Sequence, residues 1–195
     1  MAFNIKKVIV IGATGSLARY VIEALKQLGN VEITLFARNK RGLSDILSKD
    51  CNVIEADAMN LNDVKKAVAG QDIVYVNLAG NLEAMGKNIV RTMKETGVKR
   101  IIAISSIGIY DVPLRQVLVP YRKLADMIEE SGLDYTILRP DWFTDSNEVD
   151  YAITRKGDPE QGTAVSRKSI AAFLATIIEN PGLHKNENLG ISKPE

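Results

Sequence analysis

"KKVIVIGATGSLARYVIEALKQLG", residues 6–29, begins as a Val/Ile run, breaks at Gly12, Gly15 and Ser16, and resumes with apolar residues at helical spacing. A buried strand, a tight turn and an amphipathic helix follow one another in 24 residues. The turn Gly12-Ala13-Thr14-Gly15-Ser16-Leu17-Ala18 has the form G-x-x-G-x-x-[GA]. Gly12 permits a sharp turn, and Gly15 allows a phosphate to approach the backbone N–H groups of Thr14, Ser16 and Leu17 at a helix N-terminus, where the dipole favours an anion. Ala18 is small enough for the helix to pack closely on the strand. A strand before this turn and a helix after it are the context that dinucleotide binding requires.

Similar apolar runs recur at 31–37, 52–55, 72–78, 99–106 and 133–139, with helical segments between most of them. The clearest helix is 82–96, where Leu82, Met85, Ile89, Val90 and Met93 form one apolar stripe. This alternation predicts an α/β fold, a Rossmann-type doubly wound parallel sheet flanked by helices. Near the end, "VDYAITRKGDPEQGTAVS" reads as two short extended stretches around a Gly/Asp/Pro turn. Ser166 then caps a helix over 167–179, and "ENLGIS" adds a final strand. This small C-terminal part is the expected substrate region. No linker or repeat divides the chain, so residues 1–195 are expected to form one domain.

Composition narrows the function. Lysine plus arginine total 25 and aspartate plus glutamate 24, so no overall field favours nucleic acid or an acidic membrane. One cysteine, Cys51, and one histidine, His184, leave no intramolecular disulfide and no His/Cys zinc pattern, so no metal is expected. Neither a leader pattern nor an apolar run of about 18 residues is present, and the expected location is the cytoplasm. Where a ribose-binding acid is expected in an NAD site, the second strand ends in Arg38, Asn39, Lys40 and Arg41. A guanidinium pairs instead with a ribose 2′-phosphate, so Arg38 points to NADP(H) over NAD, while Lys40 and Arg41 are expected to face water.

Together "VIVIGATGSLAR", "LFARN", "EADAMN", "VNLAG", "IIAISSIGIY" and "SGLDYTILRP" resemble the atypical, NmrA-like branch of the short-chain dehydrogenase/reductase superfamily. The resemblance spans residue 6 to about 180. It implies that Asp57 and Ala58 border the adenine, that Asn77, Leu78, Ala79 and Gly80 pass beside the ribose and pyrophosphate, and that Pro140 faces the nicotinamide. All lie at the carboxyl ends of expected parallel strands, where open α/β sheets bind ligands. It also implies a homodimer through the helices 82–96 and 120–131.

In catalytic relatives a serine after the fifth strand and a tyrosine on the next helix polarise the substrate, with a lysine four residues beyond the tyrosine. Ser106 and Tyr121 match the first two, but the lysine position holds Ala125. Lys123 cannot replace it, because i+2 on a helix points about 200° away. Tyr110 is a second candidate donor. Asp141, Trp142 and Phe143 leave the sixth strand on the ligand side, either as a substrate wall or as a cover for the C-terminal region. The leading expectation is an NADP(H)-dependent oxidoreductase or epimerase-like enzyme acting on a small carbonyl or hydroxyl compound. A non-catalytic nucleotide sensor and an NADPH-dependent flavin or quinone reductase are the alternatives.

Overall fold

The computed structural model describes residues 5–194. Its elements are β1 (Lys6–Ile11), α1 (Ser16–Gln27), β2 (Val31–Ala37), α2 (Asp45–Ser48), β3 (Asn52–Glu55), α3 (Leu61–Val68), β4 (Ile73–Val76) and α4 (Leu82–Thr96). There follow β5 (Arg100–Ile104), α5 (Val119–Glu129), β6 (Asp134–Pro140), β7 (Phe143–Thr144), β8 (Ala152–Arg155), β9 (Val165–Ser166), α6 (Arg167–Glu179) and β10 (Glu187–Ser192). The main sheet has eight strands in the order β3-β2-β1-β4-β5-β6-β10-β8. All are parallel except β8, which runs antiparallel to β10. This is the Rossmann order, with its topological switch between β1 and β4.

The alternation of side chains along β1 explains why helices cover both faces. Val8 and Val10 pack with Leu17, Val21, Ile170 and Leu174 from α1 and α6. Ile9 and Ile11 pack with Val64, Ile89 and Ile128 from α3, α4 and α5 on the opposite face. Because both faces are buried, the strand reads as continuous Val/Ile. The five stripe residues of α4 are all buried, and the helix stops at Gly97 in the left-handed conformation. The Ser166 hydroxyl caps α6 by accepting the Ser169 N–H at 2.9 Å.

The C-terminal strand over "ENLGIS" is present, but the two stretches before it do not pair with each other. β8 joins β10, whereas β9 pairs in parallel with β7, immediately after β6. That second pairing fixes the segment leaving β6, from which the site takes its aromatic residues. Cys51 is half-buried against the α1/α6 core, and burial pushes its thiol pKa up, as suits an unreactive structural residue.

One core residue yields a stability prediction. Tyr75, in β4, is fully buried, its hydroxyl has no protein partner among the described residues, and burial drives its pKa well above the ordinary phenol range. Removing an unpaired buried hydroxyl relieves a desolvation cost. Tyr75→Phe should therefore raise stability by about 1 kcal/mol, read as a higher urea midpoint at unchanged slope. A lower midpoint would show that the hydroxyl is satisfied in solution.

Candidate active site

The glycine turn is held from two sides. The N–H groups of Gly12 and Ala13 both donate to the Phe36 carbonyl of β2, at 3.1 and 3.2 Å. Gly12 has φ +92°, and a Cβ built there would overlap the carbonyl of Asn77, which follows β4. A left-handed conformation and the close approach of backbone thus both demand glycine. Gly15 has an ordinary extended conformation, and a Cβ there would lie 2.6 Å from the Asn77 side-chain amide nitrogen. The need for glycine at this position therefore arises first from Asn77. At the start of α1, Gly15 supplies no side-chain cap and no acidic residue occupies the first turn. The positive end of the helix is free of competing carboxylates and faces the cleft.

That cleft, about 620 Å³, opens at the carboxyl ends of β1, β4, β5 and β6. Its wall includes Gly12, Thr14, Gly15, Ser16, Leu17, Arg38, Leu78, Ala79, Ser106, Tyr121 and Pro140, eleven of the residues expected from the sequence. Asn77 lines it too. Arg38 is exposed and makes no ion pair or side-chain hydrogen bond among the described residues. Lys40 faces water, as expected, and lies 3.8 Å from the Glu55 carboxylate. The short turn after Arg38 is closed by Asn39, whose side chain accepts the Arg41 N–H at 2.9 Å.

Asp57, Ala58 and Gly80 do not reach the cleft wall. The Asp57 carboxylate accepts the Met59 N–H at 2.9 Å in an Asx-type turn, and Ala58 is buried against the α3/α4 core with its carbonyl held by Asn88. Gly80 has φ +97° and turns the chain into α4, its carbonyl accepting the Leu82 N–H at 2.8 Å. Local turns account for the places of Asp57 and Gly80, and core packing for that of Ala58.

At the other end of the cleft, Ser105 joins Ser106 on the wall, a position that the sequence reading passed over. Ser105 is buried, and its hydroxyl donates to the Tyr121 carbonyl at 3.4 Å, linking β5 to α5. Ser106, less buried, donates to the Ile107 carbonyl at 3.1 Å. Tyr121 faces the cleft from α5, whereas Ala125, one helical turn later, is 1% exposed and belongs to the core. Lys123 points elsewhere, pairing with Glu83 of α4 at 2.8 Å. The guanidiniums of Arg38 and Arg115 are thus the cations on the wall, and Asp141 is its one carboxylate.

Tyr110 takes no part in the cleft. Its ring has the charged ends of Arg122, Arg139 and Lys156 at 4.6, 5.3 and 4.8 Å, and Asn188 donates to its hydroxyl at 2.7 Å. Burial, then Glu129, holds the phenol pKa up. The buried Arg139, beside Pro140, completes this network through Glu160 at 2.8 Å and the Asn188 carbonyl at 3.0 Å. The arrangement anchors the end of β6 and offers no proton to a ligand.

Trp142 and Phe143 form part of the cleft wall, with Trp142 76% exposed. Their backbone is fixed by the β7–β9 pairing and by the Val165 N–H, which donates to the Trp142 carbonyl at 2.8 Å. Arg167 lies 5.0 Å from the Phe143 ring centre and pairs with Asp145, whose carboxylate also accepts from Tyr20. The aromatic segment stands as a wall at the ligand end of the sheet.

A family model described as NAD(P)H-binding matches residues 12–181, which include the glycine turn, the cleft and α6. The chain belongs to this NAD(P)H-binding family. The branch resemblance read from the sequence fits it. A Rossmann-fold NAD(P)-binding family protein from Shigella flexneri is 42% identical, with a TM-score of 0.90 over 97% of this chain and 94% of that one. A short-chain dehydrogenase/reductase from Veillonella parvula, solved in complex with NADP, shares the fold at 23% identity and TM-score 0.86, covering 97% of this chain and 95% of that one. Among curated proteins, an isoflavone reductase homolog from Nicotiana tabacum is 29% identical over 71% of this chain and 49% of its own length. Quinone oxidoreductase 2 of Escherichia coli is 26% identical over 89% of this chain and 64% of its own length. The NAD(P)H-binding chain therefore spans about half to two thirds of these curated relatives. Among its described residues no helix is long and apolar enough to cross a membrane.

The wall fits a dinucleotide on three counts: an uncapped helix N-terminus without a nearby acid, a turn in which side chains are sterically excluded, and an unpaired guanidinium beyond β2. The turn and α1 can hold the pyrophosphate, Arg38 the adenosine end, and Pro140 with Ser106 the nicotinamide end.

Proposed function

We propose that the protein is an NADPH-dependent cytoplasmic reductase that passes a hydride to a small conjugated carbonyl compound of the quinone type. The observation that carries this reading is one continuous cleft, which joins the glycine turn to Ser106, Tyr121 and the Trp142–Phe143 wall. The nicotinamide supplies the hydride. The protein supplies direction and hydrogen bonds. Arg38 selects the 2′-phosphate form of the nucleotide, and the two hydroxyls at Ser106 and Tyr121 donate to the oxygen that gains charge.

The quinone class is favoured by what stands behind Tyr121. With Ala125 in the core and Lys123 paired to Glu83, no lysine assists the phenol. A simple ketone must gain a proton as its alkoxide forms, so it depends on that assistance. A quinone that accepts a hydride becomes an aromatic hydroquinone anion with delocalised charge, for which a hydrogen bond suffices. The name of the Escherichia coli relative points to the same acceptor class. The same lack of a lysine also supports a second reading, a nucleotide-sensing module without turnover.

NADPH oxidation with quinones, flavins, aldehydes and keto sugars separates these readings. Quinones should turn over fastest, and Tyr121→Phe and Ser106→Ala should each lower kcat by about a hundredfold, the worth of one preorganised donor. Full activity in both variants would place the reacting oxygen elsewhere. Tight NADPH binding without turnover of any acceptor would establish the sensing module.

A further inference from the structure

The substrate end of the cleft contains a charge for which the reduction of a neutral quinone has no use. Arg115 lies on the wall, in the segment between β5 and α5. Arg91, Arg100, Arg122, Arg139 and Arg167 each hold a carboxylate, hydroxyl or carbonyl through their side chains. Arg115 holds none among the described residues, although it is fixed at its backbone, where its carbonyl accepts the Leu118 N–H at 2.9 Å. Its guanidinium passes over Gly108, whose φ is +78° and where a Cβ would come within 3.3 Å of Nη2. The Asp111 carboxylate flanks the same glycine, 2.8 Å from that Cβ position, and forms no ion pair with Arg115 among the described residues. The lone carboxylate of the wall, Asp141, has an oxygen accepting the Trp142 N–H at 2.5 Å, so it is turned toward its own backbone.

The wall that carries this guanidinium also presents exposed apolar side chains. Val117 is 70% and Trp142 76% exposed, and Phe143, Ile107 and Leu118 lie on the same wall. An exposed indole and valine on the same cleft wall as a cation without a side-chain partner suit a flat ring bearing an oxyanion: the ring covers the apolar surface and the anion meets the fork of donors. We propose that the acceptor is a planar aromatic or quinonoid anion, a carboxylate, sulfonate or phosphate ester, whose charged group is held by Arg115. This deepens the proposed reductase activity and rests on the same cleft, but the anion subsite can be tested without turnover.

The probe is naphthalenesulfonate, which cannot be reduced, titrated calorimetrically into the protein saturated with NADP, with naphthalenemethanol as its neutral counterpart. The sulfonate should bind roughly tenfold to hundredfold more tightly than the alcohol, the range of a charge-assisted contact. Arg115→Ala should erase that ratio and Arg115→Lys restore part of it. Arg155→Ala, which removes the same charge outside the cleft, should leave it unchanged. Equal affinities for the two probes, or a ratio that survives Arg115→Ala, would overturn the proposal. With turnover as the readout, naphthoquinone sulfonate should exceed naphthoquinone in kcat/KM by a similar factor, again through Arg115. If the sulfonate binds through Arg115 but neither quinone is reduced, the subsite stands and the reductase reading falls.

Discussion

Replacing Arg38 by alanine is expected to collapse a tenfold-to-hundredfold preference for NADPH over NADH, the range that a hydrogen-bonded charge pair of about 1.5–3 kcal/mol supplies. The guanidinium lies at the end of β2 without a carboxylate partner among the described residues, so none of them competes with a phosphate for it. Lys40 is drawn off to Glu55, which leaves Arg38 as the cation of this strand end that lines the cleft. NADH affinity should change little, because its ribose lacks the phosphate. Calorimetric titration of both nucleotides against both proteins checks this. Equal affinities in the unaltered protein, or a preference that survives the substitution, would remove Arg38 from the site.

Gly12→Ala should have the largest effect on the fold. The added methyl would overlap the Asn77 carbonyl, and φ at this position is +92°, so neither a rotamer change nor a small side-chain shift can relieve it. A loss of roughly 3–5 kcal/mol is expected for such combined backbone strain and overlap, which for a chain of this size lowers Tm by on the order of 10 °C. Gly15→Ala differs in kind, since its Cβ meets the movable side chain of Asn77. Its cost should be smaller and should largely vanish in combination with Asn77→Ala, a non-additivity visible in a double-mutant cycle. Thermal melts of the five proteins, unaltered, Gly12→Ala, Gly15→Ala, Asn77→Ala and the double variant, decide the matter. If Gly12→Ala melts with the unaltered protein, the close approach of the turn to β4 is wrong.

The parts legible in the sequence were those set by local rules. Continuous Val/Ile runs marked the strands, although β3, at the sheet edge, is not buried; the stripe of Leu82, Met85, Ile89, Val90 and Met93 marked α4 with its observed bounds, and Ser166 marked the start of α6. Eleven expected site residues share the cleft because strand ends in a parallel sheet converge on one edge, so position along the chain nearly determines position in the site. What was hidden depended on which partner each polar group takes in the folded chain. Asp57 resembles a ligand residue in its motif, yet its carboxylate is spent on its own turn. Tyr110 resembles a donor until Arg122, Arg139 and Lys156 gather around its ring. Arg115 reads as one more solvated charge in a loop, and only its place on the cleft wall, without a side-chain partner among the described residues, gives it a use. The pairing of β7 with β9, across some twenty residues that include β8, carries no signal in spacing.

The reductase account is tested most directly by following NADPH oxidation by the purified protein under anaerobic conditions, with a quinone acceptor in large excess. The account predicts many turnovers per protein molecule, with one quinone reduced for each NADPH consumed and the rate falling when Tyr121 is replaced by phenylalanine. NADPH that binds but remains unoxidised through the whole course would contradict it.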